Sequence, residues 1–200
     1  MNRIDLLAHL YGWAFIFNIK KERIIMRRQN LSAFIEGALM IGIATILSFF
    51  KVFQAPYGGS VTLGSMVPII LYSVRHGASR GFFAGTVYGL LQLMIEPFIV
   101  HPVQVILDYP LAFGMLGFAG LFGRRIYLGI PVGILGRFLS HLLSGVIFFY
   151  SYAPEGMSPL VYSVLYNGGY LLPELVISLL VLRFVLYRFI RKDEGCGVSD

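Results

Sequence analysis

One carboxylate stands where an apolar chain has little use for it. Asp108 lies near the start of residues 102–125, PVQVILDYPLAFGMLGFAGLFGRR, a run long enough to cross a bilayer, which takes about twenty residues. An acid at the centre of a membrane helix costs about 2.5–3.5 kcal/mol on insertion scales, so it should face a cavity, a partner or a ligand and not lipid. Gln104 precedes it by four residues, on the same helical face, and Tyr109 follows it directly. A second polar pair, Arg137 and His141, is also spaced by four, and Gly145 and Phe149 continue that stripe. His141 is a candidate for function because an intramembrane ionisable group generally is one. Arg137 is expected to snorkel or to contact a partner. A third set, Tyr162, Tyr166, Asn167 and Tyr170, crowds one later stretch, with Glu174 deeper. A buried carboxylate beside tyrosines suits a flat cationic ligand, through ion pairing and ring contacts. A belt of interfacial tyrosines around a structural Asp is the competing reading.

The elements that must position these groups follow from composition. Of the 200 residues, 57% are hydrophobic and only 13% charged, against about 25% charged in soluble domains. Mean hydropathy is +0.76. Long apolar runs, not short alternating ones, set the chain apart from a β-barrel. The expected fold class is therefore an all-α membrane protein with six transmembrane helices, at about 31–50, 61–74, 81–95, 102–125, 126–149 and 160–189. The second is short and is interrupted by Gly64 and Pro68, a pattern typical of cavity-lining segments. In the first, Gly37, Ala38 and Gly42 put small residues on one side, and Gly81, Gly85 and Gly89 form a glycine stripe in the third; both patterns let helices approach closely. Residues 51–60, KVFQAPYGGS, read as a flexible turn. Residues 1–25 are expected to be either an amphipathic surface segment or an upstream artefact of a start at Met26, 26–192 the six-helix domain, and 193–200 a polar tail.

Charge sets the orientation. Arg27-Arg28, Arg75 and Arg80, Arg124-Arg125, and Arg188, Arg191 and Lys192 flank alternate loops, whereas the other loops hold only Lys51. The positive-inside rule then places both termini in the cytoplasm. Gln104, Asp108, Tyr109, Tyr162, Tyr166 and Asn167 fall in the outer third of their spans, His141 near mid-depth and Phe149 near the outer surface. Apolar walls with a few fixed polar groups are the make-up of a small-molecule pocket.

The net charge of +6 sits between apolar runs and reads as a topology signal, not as affinity for nucleic acid. There is no Gly-rich phosphate loop, so this chain does not itself hydrolyse ATP. The four histidines are scattered and the single cysteine, Cys196, lies in the tail, so neither a metal site nor an internal disulfide is expected. No catalytic residue and no cofactor is assigned.

The stretches GGSVTLGSMVPIILYSVRHG (58–77) and LDYPLAFGMLGFAGLF (107–122), with His141 and the later SGVIFFYSYAPEG and VYSVLYNGGY, resemble the thiamine-specific S component of energy-coupling factor (ECF) transporters, the ThiT/YuaJ family. The resemblance spans about 31–191. It implies a six-helix substrate-binding subunit in a bacterial plasma membrane that captures thiamine from outside. It also implies docking on a membrane coupling protein and a pair of cytoplasmic ATPases that power uptake. Asp108-Tyr109 matches the family's acid-Tyr pair, with an acid one methylene shorter than Glu. His141, Tyr162, Asn167 and Gln104 match too, and Phe149 stands where Trp can occur. The implied roles have Asp108 offset the thiazolium charge. Tyr109, Phe149 and Tyr162 supply ring contacts, and Gln104, His141 and Asn167 hydrogen bonds. Where the family's first loop supplies Trp and Glu, this chain has Gly59 and Leu63. Ala38-xxx-Gly42 resembles the motif that docks on the coupling protein. An S component for another vitamin, such as riboflavin or a pyridoxine-like compound, and a non-transport membrane scaffold are the alternatives.

Overall fold

A computed structural model of the chain describes residues 28, 30–56, 58–123 and 125–194, with side chains as far as 184. The expected N-terminal segment 1–25 and most of the tail lie outside the described residues. Contacts divide the chain into two units, Met1–Glu36 and Gly37–Asp200, and the site described below belongs wholly to the second.

Among the described residues, six helices form the bundle: α1 (Asn30–Ser48), α2 (Val67–His76), α3 (Ala78–Ile95), α4 (Pro102–Phe122), α5 (Ile126–Phe148) and α6 (Pro159–Glu194). Four of them, α1, α4, α5 and α6, are long and apolar enough to cross a membrane. The 10 residues of α2 rise only about 15 Å, half of a hydrocarbon core. It begins at Val67 because the preceding residues do not coil. Instead of a flexible turn, Lys51–Gln54 (β1) and Ser60–Thr62 (β2) pair antiparallel, with a bulge between Lys51 and Phe53. The connection closes with Ala55 N–H donating to the Gly59 carbonyl at 2.6 Å. This hairpin is the one departure from an all-helical chain among the described residues.

The glycine stripe acts as expected. A Cβ on Gly89 would lie 2.7 Å from the Tyr109 carbonyl carbon, so only glycine lets the α3 backbone meet α4 there. Opposite it, α4 changes its winding: after a regular start, Leu107–Leu111 form a π-helical turn and Met115–Phe122 a 3₁₀ stretch. Pro110 lies inside the π turn. A proline cannot donate to the carbonyl one turn back, and the wider turn accommodates it. Such turns recur at functional sites, and this one carries Asp108 and Tyr109.

The packing inverts the soluble pattern. Met66, Ile69 and Ile70 at the start of α2 are fully buried among Leu116, Ile130 and Leu182. The long helices turn Leu39, Ile46, Leu135, Leu143, Leu172 and Leu180 outward, while Ser140, Ser144, Ser163, Asn167, Glu174 and Ser178 are buried. Polar groups inside and aliphatic ones outside suit a chain whose solvent is hydrocarbon, where small and hydroxylated residues hold helices together.

Candidate functional site

At the end of the bundle where the hairpin, the α3–α4 loop and the α5–α6 loop meet, α3, α4, α5, α6 and residues 58–60 line a cavity of about 110 Å³. Gln104, Asp108, Tyr109, His141, Phe149, Tyr162 and Asn167 all line it. Six residues on three helices, and Phe149 just past the end of α5, are thus brought to one space. Of the two loop positions singled out, Gly59 lines the cavity, whereas Leu63 is exposed.

Asp108 is the hub. Its Oδ2 accepts from Gln104 Nε2 at 2.7 Å and from Ser144 Oγ at 2.9 Å, and its Oδ1 lies 3.0 Å from His141 Nδ1. A carboxylate only accepts, so Nδ1–H donates to it and Nε2 is left as an acceptor. Arg137 fills that position: its Nε donates to His141 Nε2 at 3.3 Å. The Arg137 guanidinium lies over the Phe113 ring, 4.1 Å from its centroid, and reaches Met66 Sδ at 2.9 Å. Arg137 therefore does not snorkel. The four-residue spacing that brings His141 inward brings Arg137 with it, and a ring face receives its charge. The chain Arg137–His141–Asp108 fixes the imidazole's orientation, and the acid's direct donors are a carboxamide, a hydroxyl and an imidazole.

The remaining groups are held as firmly. Gln104, 1% exposed, also accepts from Val100 N–H at 3.0 Å and donates to the Phe98 carbonyl at 3.1 Å. The Tyr109 hydroxyl donates to the Glu96 carbonyl and accepts from Phe98 N–H, both at 2.8 Å, so its ring is a wall braced by the α3–α4 loop. Asn167 Nδ2 donates to the Ser163 carbonyl at 2.9 Å, and its Oδ1 accepts from the Tyr170 hydroxyl at 2.8 Å. Rings line the rest: Tyr162 stacks on Tyr166 with centroids 6.0 Å apart, Tyr166 meets Tyr170 edge-on at 5.9 Å, and Phe149 stacks on Phe98 at 5.9 Å. Lys51 pairs with Glu96 at the rim.

Several members carried no assignment from the sequence. Ser144 is one turn beyond His141 and so shares its face. Tyr166 and Tyr170 repeat Tyr162 at intervals of four. Phe98 lies in a loop and Phe113 in the apolar middle of α4, where nothing in their spacing distinguishes them. Away from the cavity, Ala38 is exposed on α1 and a Cβ on Gly42 would meet open space.

An apolar exterior around a partly open cavity walled by rings and oriented hydrogen-bonding groups defines a helical membrane protein with a site of small-molecule character. The family model described as Thiamine transporter protein (Thia_YuaJ) matches residues 34–193, and the chain belongs to that family. It is 35% identical over 173 residues to the thiamine transporter ThiT of Bacillus subtilis (strain 168), covering 77% of this chain and 90% of that one. A thiamine transporter ThiT of Lacticaseibacillus paracasei is 27% identical over 193 residues, covering 84% and 96%. Among solved structures, ThiT from Listeria monocytogenes superposes with a TM-score of 0.73 at 26% identity, covering 80% of this chain and 96% of that chain.

Proposed function

We propose that this chain takes up thiamine, and that it does so as the substrate-capturing subunit of an ECF-type transporter. The observation that carries the reading is the setting of Asp108: a carboxylate in an apolar bundle, oriented toward an aromatic cavity by hydrogen bonds from Gln104, Ser144 and the His141 imidazole. A carboxylate so held keeps its charge available to a cationic ring. Tyr109, Phe149 and Tyr162 offer faces to that ring. Gln104, His141 and Asn167 complete the polar contacts, the last through an amide held in place by Ser163 and Tyr170.

Orientation supports capture from outside. Arg75, Arg80 and Arg125 flank the α2–α3 and α4–α5 connections, and the cavity lies at the opposite end. By the positive-inside rule that end is extracellular and both termini are cytoplasmic, in a bacterial plasma membrane. The exposed small residues Ala38 and Gly42 offer a close-packing face to a coupling protein, which in turn would carry the two ATPases this chain lacks.

Calorimetry on the purified chain tests the ligand. Thiamine is expected to bind, and to raise the unfolding midpoint in a thermal-shift panel in which riboflavin and pyridoxine do not. At free thiamine one hundredfold above Kd the gain is about 2.7 kcal/mol. A shift with riboflavin or pyridoxine alone reassigns the substrate; no shift with any vitamin ends the transport reading.

A further inference from the structure

Glu174 is a buried acid that the cavity does not use. It is 1% exposed, on α6, and its carboxylate is spent on one residue of the hairpin: Oε2 accepts from Thr62 N–H and Oε1 from the Thr62 hydroxyl, each at 2.6 Å. The same hydroxyl accepts from Ser65 N–H at 3.0 Å, so the bond is made where β2 ends and the chain turns toward α2. Burying a carboxylate in an apolar bundle is expensive. Two charge-assisted bonds to a single residue specify where that residue sits more tightly than a neutral pair would.

What they specify is the cavity wall. Glu174, Tyr170 and Tyr166 repeat every four residues and share one face of α6. On that face Gly59 rests against Tyr170 so closely that a Cβ would stand 2.5 Å from the ring's Cδ1, and Gly59 N–H is 3.5 Å from the Tyr166 hydroxyl. Residues 58–60, the hairpin's contribution to the cavity, are thus seated on tyrosine rings at one end and tied to Glu174 two residues beyond at the other. We propose that Glu174 is a positioning residue: through Thr62 it fixes the height of the 58–60 wall over Tyr166 and Tyr170, and so the shape of the site that holds the flat ligand. The affinity arm of this inference rests on the thiamine reading above; the accessibility arm does not.

The test uses the full chain with Cys196→Ser and Ser60→Cys, a membrane-impermeant maleimide, and Ser158→Cys as a control at an exposed loop position. Glu174→Gln is expected to speed labelling at position 60 about tenfold while the control rate holds, and to weaken thiamine binding in the Ser60 background about tenfold. Thr62→Val removes the hydroxyl bond and keeps the backbone one, so it is expected to move both readouts the same way by less, and to add little to Glu174→Gln, because both weaken the same link. Should Glu174→Gln fail to accumulate, Thr62→Val carries the same comparison. Unchanged labelling and affinity overturn the proposal, as does loss of thermal stability with no change at position 60. A parent chain that binds no thiamine defeats the ligand assignment, and the labelling rates still decide the role of Glu174.

Discussion

Asp108 accepts three hydrogen bonds, and each donor has its own anchor. Gln104 is tied to the Phe98 carbonyl, His141 to Arg137, and Ser144 to the buried face of α5. The acid is therefore oriented before any ligand arrives, which lowers the ordering cost of binding. Removing its charge should cost more than removing one donor. Asp108→Asn is expected to weaken thiamine binding by about 1.5–3 kcal/mol, the range for hydrogen bonds to charged groups, or one to two orders of magnitude in Kd. Ser144→Ala leaves two donors in place and is expected to cost about 1 kcal/mol. Calorimetry on the two variants gives the order, and the reverse order would mean that Asp108 serves the fold and not the ligand. At this scale the sequence was informative wherever a group was costly in its surroundings. Asp108 and His141 declare themselves because ionisable side chains in apolar runs need a reason. The snorkelling reading of Arg137 failed because a long side chain can reach water or turn inward from the same backbone position, and the Phe113 ring that draws it in is 24 residues away in sequence.

At the scale of elements, the glycine stripe of α3 and the π turn of α4 form one device. The stripe lets the two backbones touch, Gly85 at Phe113 and Gly89 at Tyr109, and the second of these contacts is with the turn that bears Asp108 and Tyr109. A side chain added at the contact should therefore reach the site as well as the fold. Gly89→Ala is expected to lower stability by about 1–3 kcal/mol, the usual penalty of overpacking, and to weaken thiamine binding, because its Cβ displaces Tyr109. Gly42→Ala, with open space around its Cβ, should stay within about 0.5 kcal/mol of the parent. Thermal unfolding in detergent separates the two, and equal effects would show that the α3–α4 approach is not tight. The stripe was legible because its period is that of a helix. The hairpin was not: strands of 4 and 3 residues are too short to show alternation, and what holds them is Glu174, more than 110 residues away. Its pairing also moved the start of α2 from 61 to Val67. The π turn left only Pro110 as a trace.

At the scale of the whole molecule, two gradients are superimposed. Polarity runs from an aliphatic exterior to hydroxyls, amides and acids within, and positive charge is concentrated at the end away from the cavity. The first makes hydrocarbon the natural solvent. The second gives the bundle a direction in it, because Lys and Arg in short loops are retained on the cytoplasmic side. Uptake requires that the cavity and the arginines lie on opposite sides of the membrane, so direction is as decisive as ligand identity. In a Cys196→Ser background, Ser158→Cys sits in the α5–α6 loop at the cavity end, and Ser79→Cys sits at the start of α3 between Arg75 and Arg80. A membrane-impermeant maleimide applied to intact cells should label position 158 at once and position 79 only after the membrane is opened. The opposite pattern would turn the cavity toward the cytoplasm, where a site of this chemistry would hold thiamine already inside the cell and the capture of external vitamin would have no route through it.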